Sequence, residues 1–150
     1  MEIESVALVF LRDQLGLTAS EQYPDIAADL LVAGYDSAVL RELAGYSRSD
    51  PLGARYLWIQ TRQELDKPFE DEETARHILV RTWLGEIDGG ALEPRTGVGL
   101  IYRQGWLELG RPTELDYFVG LMDDWDDMPQ NRDNICDLII AAARETLAFW

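Results

Sequence analysis

Apolar residues recur three and four positions apart along most of this chain of 150 residues. That spacing places them on one face of an α-helix. Val6, Phe10 and Leu11 are the first example, and Gly16 follows them where such a helix would end. The pattern therefore predicts a chain built from short amphipathic helices.

Residues that begin or end helices separate these apolar segments. Asp36 or Ser37, and then Asp50-Pro51, are typical of helix N-termini, whereas Gly34 and Gly89-Gly90 are typical of C-termini. Loops of this length join helices in small domains, and no linker or low-complexity tract interrupts them. We predict an all-α fold, a compact single-domain bundle of about seven to eight short helices over residues 1–150.

One segment leaves the choice between helix and strand open. Residues 97–102 read GVGLIY, an alternation that is also found in strands. No partner strand is evident elsewhere, and Pro94 is placed to begin a helix, so we favour a helix despite the two glycines.

Five tryptophans fall at about one to each predicted helix. They are Trp58, Trp83, Trp106, Trp125 and Trp150. The residues around them do not repeat, so we interpret them as core anchors and not as markers of a repeat protein.

The net charge of −15 limits the classes of partner. Affinity for nucleic acid comes largely from Lys and Arg that neutralise phosphates, and anionic membranes also require cations. The charge favours solubility and attraction to a basic protein. Cys136 is the single cysteine, and the N-terminus lacks a signal-peptide pattern, so we predict a cytoplasmic protein.

Two acidic segments are the candidate partner-binding residues. The upstream acidic cluster is Glu70, Asp71, Glu72 and Glu73, and the aspartate corner is Asp123, Asp124, Trp125, Asp126 and Asp127. The upstream cluster suits a helix N-terminus, where the helix dipole is positive. The aspartate corner lies at the far end of a helix predicted from Thr113, where the dipole is negative.

Two readings of the aspartate corner remain open from the sequence. Either the helix ends before Asp123, which leaves ordinary loop acids, or something offsets the misplaced charge. Arginines such as Arg132 or Arg103, a cation, or a basic partner would serve. We expect Trp125 to point into the core.

Most catalytic and metal-binding motifs are excluded. His77 and Cys136 are the only histidine and cysteine, which excludes zinc fingers, HExxH proteases and di-iron bundles. No serine lies in a G-x-S-x-G elbow, and no glycine-rich phosphate loop is present. If Asp124 were the first ligand of an EF-hand, Pro129 would stand where glycine must turn. We predict no cofactor.

Carboxylate-only metal chemistry remains as an alternative. Helical nucleotide pyrophosphohydrolases bind Mg²⁺ through Glu-x-x-Glu and a downstream Glu-x-x-Asp, and Glu70 and Glu73 match the first half. Gly89 stands three residues after Glu86, so the second half fails there. The aspartate corner would have to supply the missing ligands.

The second half of the chain resembles small acidic helical bacterial proteins of unassigned function, over roughly residues 75–147. The matching motifs are Gly90-x-Leu92-x-Pro94, Leu109-Gly110-x-Pro112-x-Glu114-Leu115, Phe118-Val119-Gly120-Leu121, Asp124-Trp125-x-Asp127-x-Pro129 and Ala142-Ala143-Arg144. The resemblance implies an all-helical fold and brings no activity or catalytic residues.

Our leading hypothesis is a non-enzymatic protein-interaction protein, most concretely an immunity- or antitoxin-type inhibitor. It would bind a basic partner through the two acidic segments. The alternatives are a Mg²⁺-dependent hydrolase that uses carboxylates alone, a DNA mimic, and a helical scaffold.

Overall fold

Helices account for all regular structure in the part of the chain that the structure describes, which confirms the all-α prediction. The computed structural model describes the backbone of residues 3–67 and 71–150, and the side chains of residues 6–67 and 71–150. By their contacts the residues divide into two units, Met1–Asp71 and Glu72–Trp150. The prediction of a single domain stays a prediction. No described helix combines the length and the apolar character that crossing a membrane requires.

The first unit is built from four α-helices in the described residues. They are α1 (Ile3–Gln14), α2 (Tyr23–Val32), α3 (Ala38–Ala44) and α4 (Pro51–Glu64). The predicted caps are confirmed: Ser37 Oγ accepts a hydrogen bond from the Leu40 amide at 3.0 Å, and Asp50 Oδ1 accepts one from the Gly53 amide at 3.0 Å.

A buried carboxylate organises the core of this unit. Asp13 accepts hydrogen bonds from Tyr23 Oη at 2.6 Å and from Trp58 Nε1 at 2.7 Å. The Trp58 ring stacks between the rings of Tyr23 and Phe10, with centroids 5.0 and 5.4 Å away. Burial, and then the hydrogen bond to Asp13, raise the pKa of Tyr23 well above its ordinary value.

Arg62 supplies the positive charge for Asp13. Its Nη1 lies 3.6 Å from Asp13 Oδ2, and the two side chains are only 5% and 9% exposed. Arg62 also donates to the backbone oxygens of Phe10 and Lys67, at 3.0 and 3.1 Å. Burial lowers the pKa of Arg62, and Asp13 acts in the opposite direction. The interior of this unit therefore holds an ion pair whose two members are each hydrogen-bonded to other groups.

The second unit contains four further α-helices in its described residues. They are α5 (Glu72–Asp88), α6 (Pro94–Leu100), α7 (Asp116–Asp127) and α8 (Arg132–Leu147). Helix α6 continues directly into a π-helical segment, Ile101–Trp106. Helix α5 packs against α8 and the π-helical segment, and α7 packs against α8 and α6.

Residues 97–102 are helical, which settles the choice that the sequence left open. Gly97 in this segment and Gly105 in the π-helical segment are required by close packing on α5. A Cβ at Gly97 would come within 2.6 Å of Ile87 Cδ1, and one at Gly105 within 2.8 Å of Val80 Cγ2. Since real Cβ atoms do not approach so closely, only glycine allows this approach.

The tryptophans divide into two groups. Trp58 and Trp83 are buried, as the core-anchor interpretation requires. Trp106, Trp125 and Trp150 are half-buried, so that interpretation is wrong for these three. An indole N–H needs an acceptor. Trp106 donates to Asp116 and Trp150 to the His77 carbonyl, at 2.8 and 3.0 Å.

Replacing Asp13 by Asn should lower the free energy of unfolding by about 3 kcal/mol, because it removes the buried negative charge that Tyr23, Trp58 and Arg62 surround. The matched control is Asp25→Asn, which removes the exposed partner of Arg48 and should change stability by less than about 0.5 kcal/mol. Urea unfolding at neutral pH measures both. Equal effects of the two variants would show that the Asp13–Arg62 pair does not hold this core together.

Candidate functional site

Helix α7 contains the whole aspartate corner. It runs from Asp116 to Asp127 and has no basic residue in its last turn. The reading in which the helix ends before Asp123 is therefore wrong. The carboxylates lie at the negative end of the helix dipole, and Asp123 and Asp127 repel each other at i, i+4 spacing.

Arg132 of α8 partly offsets this charge. Its Nε donates a hydrogen bond to the Trp125 carbonyl at 3.1 Å, one of the last α7 carbonyls without a helical partner. Its guanidinium lies 5.2 Å from the centroid of the Trp125 ring, in a cation–π contact. The expectation that Trp125 points into the core is wrong, because its ring is half-buried beneath Arg132.

Arg95 of α6 is the second cation at the aspartate corner. Its Nη2 lies 3.8 Å from Asp126 Oδ1, beyond hydrogen-bond range. Arg132 was predicted correctly as a cation that offsets the charge of the aspartate corner. Arg103 was predicted for the same role, but the structure places Arg95 there. In the described part of the chain, Arg103 pairs with no carboxylate.

Arg95 and Arg132 do not pair with every carboxylate of the aspartate corner. Asp123, Asp124 and Asp127 have no ion-pair partner among the described side chains. Asp123 and Asp127 are exposed, and Asp124 is half-buried. The corner is therefore a compact source of negative charge on a rigid helix end.

The upstream acidic cluster has a different character. Glu70 lies outside the described residues, and Asp71 directly precedes α5. Glu72 accepts hydrogen bonds from Arg76, from Nη2 at 2.7 Å and from Nε at 3.1 Å. Glu73 Oε1 lies 3.9 Å from His77 Nε2. Glu72 therefore has a cation within its own helix, whereas the Glu73–His77 contact is an ion pair only when the imidazole is protonated.

A groove of about 390 Å³ opens beside this cluster. It is lined by Glu72, Glu73, Arg76, Glu108, Leu109 and Gly110. Arg76, which is buried, donates to the Gln104 side-chain oxygen at 2.7 Å and so fixes the π-helical segment to α5. No residue of the aspartate corner lines this groove, so it does not unite the two acidic segments.

The described carboxylates do not form a metal-binding group. Across residues 6–67 and 71–150, no three His, Cys, Asp or Glu side chains form a group that would hold a metal ion. The Mg²⁺-hydrolase hypothesis requires the described acids of both segments to converge, and this grouping is not found. Glu70, which the hypothesis also uses, is not among the described residues.

The two candidate reactive side chains have ordinary surroundings. Burial raises the pKa of the Cys136 thiol, and Glu93, Asp133 and Asp137 raise it further, which disfavours the thiolate. His77 stacks on Trp150 with ring centroids 4.8 Å apart. Both side chains take part in packing.

Comparison of the chain with protein-family models, with curated proteins and with solved structures gives no match. The resemblance to small acidic helical proteins stays an expectation. The function has to be argued from the aspartate corner itself.

Replacing Asp127 by Asn should raise the free energy of unfolding by about 0.5 kcal/mol at low salt, because it removes a carboxylate from the negative end of α7. The matched change at the opposite kind of helix end is Glu73→Gln, in the first turn of α5, which should lower stability by a similar amount.

Urea unfolding at low and at high salt measures both changes, and salt should shrink each of them. A destabilised Asp127→Asn variant would contradict this electrostatic account of the corner.

Proposed function

We propose that this protein is a non-enzymatic inhibitor of the immunity or antitoxin type, which covers a basic surface of a partner protein with the aspartate corner. The observation that supports this is that Asp123, Asp124 and Asp127, at the C-terminal end of α7, have no ion-pair partner among the described side chains. Lys and Arg side chains of a partner would supply the cations that this helix end lacks.

The overall charge supports fast association but does not locate the site. Residues 1–71 carry thirteen acids and six basic residues, and residues 72–150 carry fifteen acids and seven basic residues, so the net charges are −7 and −8. Both units attract a basic protein from a distance. The aspartate corner differs because three of its four carboxylates have no ion-pair partner among the described side chains.

Trp125 adds an apolar contact within the charge. It is half-buried, and Arg132 covers its ring. Tryptophan is enriched among the residues that dominate interface energies. In the proposed complex the partner packs against the exposed part of this indole, while its basic side chains pair with the aspartates around it.

The upstream acidic cluster has an accessory role in this proposal. Glu72 already pairs with Arg76 within α5, so the cluster contributes to long-range attraction more than to close contacts. The proposal includes a cytoplasmic location and no nucleic-acid or membrane partner. Its support is the single cysteine and the excess of acids over basic residues.

Neutralising the aspartate corner tests the proposal. The corner variant carries Asp→Asn at Asp123, Asp124, Asp126 and Asp127. The control variant carries the same number of neutralising changes at exposed acids of the first unit, namely Glu21, Asp29, Glu42 and Glu64. Both variants therefore have the same net charge.

The immobilised wild-type protein is first used to recover a basic partner from a lysate of the native host, and that partner is purified. The association rate of the corner variant with it should fall about tenfold or more below that of the control variant, and its salt dependence should weaken. The partner's activity should be inhibited by the wild type and the control variant only. Equal rates for the two variants would remove the corner as the binding site.

A further inference from the structure

Two arginines of the second unit fold over one glycine. A Cβ at Gly99 would meet Arg103 Nη1 at 3.1 Å, Arg95 Nη1 at 3.4 Å and Arg103 Nη2 at 3.6 Å. Gly99 is itself buried. The arginine pair, Arg95 and Arg103, thus brings two positive charges together above a stretch of backbone that carries no side chain.

The guanidinium N–H groups of the arginine pair have no hydrogen-bond acceptor in the described part of the chain. Neither guanidinium donates a hydrogen bond to any residue that the structure describes, and the nearest carboxylate oxygen of Asp126 lies 3.8 Å from Arg95. Arg76, Arg132 and Arg144 in the same unit all donate hydrogen bonds. In a chain with 28 acids and 13 basic residues, acceptors are abundant, so converging arginines without one are unexpected.

We propose that the arginine pair binds an oxyanion, a carboxylate or phosphate group of a ligand, above Gly99. A guanidinium presents planar paired donors that match the oxygens of these groups, and two of them grip an oxyanion from two sides. A bound anion also removes the repulsion between the two like charges. The missing side chain at Gly99 leaves the space between the guanidiniums open.

Asp126 competes with such a ligand. Its carboxylate is the same kind of acceptor and already lies 3.8 Å from Arg95. Binding a free anion therefore means displacing Asp126 or sharing Arg95 with it, and the other acids of the aspartate corner weaken binding further. This site does not depend on the basic partner proposed above, because its ligand has the opposite charge.

NMR titration of the ¹⁵N-labelled protein tests the proposal, with sodium phosphate and sodium acetate as separate probes at constant ionic strength. At least one of the two anions should shift the Gly99 amide and the Arg103 Nε–H resonances along a saturable curve. The anion that binds more tightly identifies the ligand group as phosphate or carboxylate.

Two variants should change the affinity for the anion in opposite directions, and a third serves as a control. Arg103→Gln should weaken binding about tenfold or more, because it removes charged hydrogen-bond donors. Asp126→Asn should tighten binding, since it removes the competing carboxylate. Arg144→Gln, which removes an exposed arginine that pairs with Asp88 in the same unit, should leave binding unchanged.

Gly99→Ala separates the site from the fold. The added Cβ would meet the far end of a flexible side chain, so Arg103 should move aside while the helix persists. Circular dichroism should be unchanged and anion binding lost. Shifts that remain linear for both probes, or that are equal in the wild type and Arg103→Gln, would overturn the proposal.

Discussion

Each carboxylate at a buried position or at a negative helix end of this chain needs a cation or a hydrogen-bond donor, and 28 acids share 13 basic residues. The first unit meets this need in its core, where Arg62, Tyr23 and Trp58 surround Asp13. Three helices are joined by that one carboxylate, because these residues come from α1, α2 and α4.

The second unit meets the same need incompletely. Arg76 pairs with Glu72 and also holds the π-helical segment to α5. Among the described side chains, only Arg132 and Arg95 approach the acids at the C-terminal end of α7, and Arg95 does not reach hydrogen-bond distance. The remaining charge sits on a helix whose position is fixed by packing against α6 and α8. A partner with basic side chains would find these carboxylates already ordered, which lowers the entropy cost of binding.

The features of the fold that depend on neighbouring residues in the sequence could be predicted from it. The helices follow from apolar spacing, and the caps at Ser37 and Asp50 follow from side chains that bond amides three residues on. The π-helical segment was not predicted, because it depends on the packing of glycines such as Gly105 against Val80 and on a hydrogen bond from Arg76. These contacts join residues far apart in the sequence.

At the candidate site too, the contact between residues close in sequence was predicted, and the contact between distant residues was missed. Arg132 was predicted correctly because it lies only five residues after Asp127. The turn at Pro129 brings it back onto the end of α7. Arg95 was missed, since only the packing of α6 against α7 places it beside Asp126. The burial of Trp125 was also misjudged. Its helical spacing indicates an inward face, but the structure places Arg132 over the ring at the edge of the unit.

Hydrogen–deuterium exchange of the protein, alone and in complex with its purified basic partner, tests most directly where that partner binds. The account predicts slower amide exchange on binding at the C-terminal turn of α7 and the start of α8, residues 121–134, with little change in α2 and α3. Protection confined to the first unit, with none at residues 121–134, would contradict the claim that the aspartate corner is the binding surface.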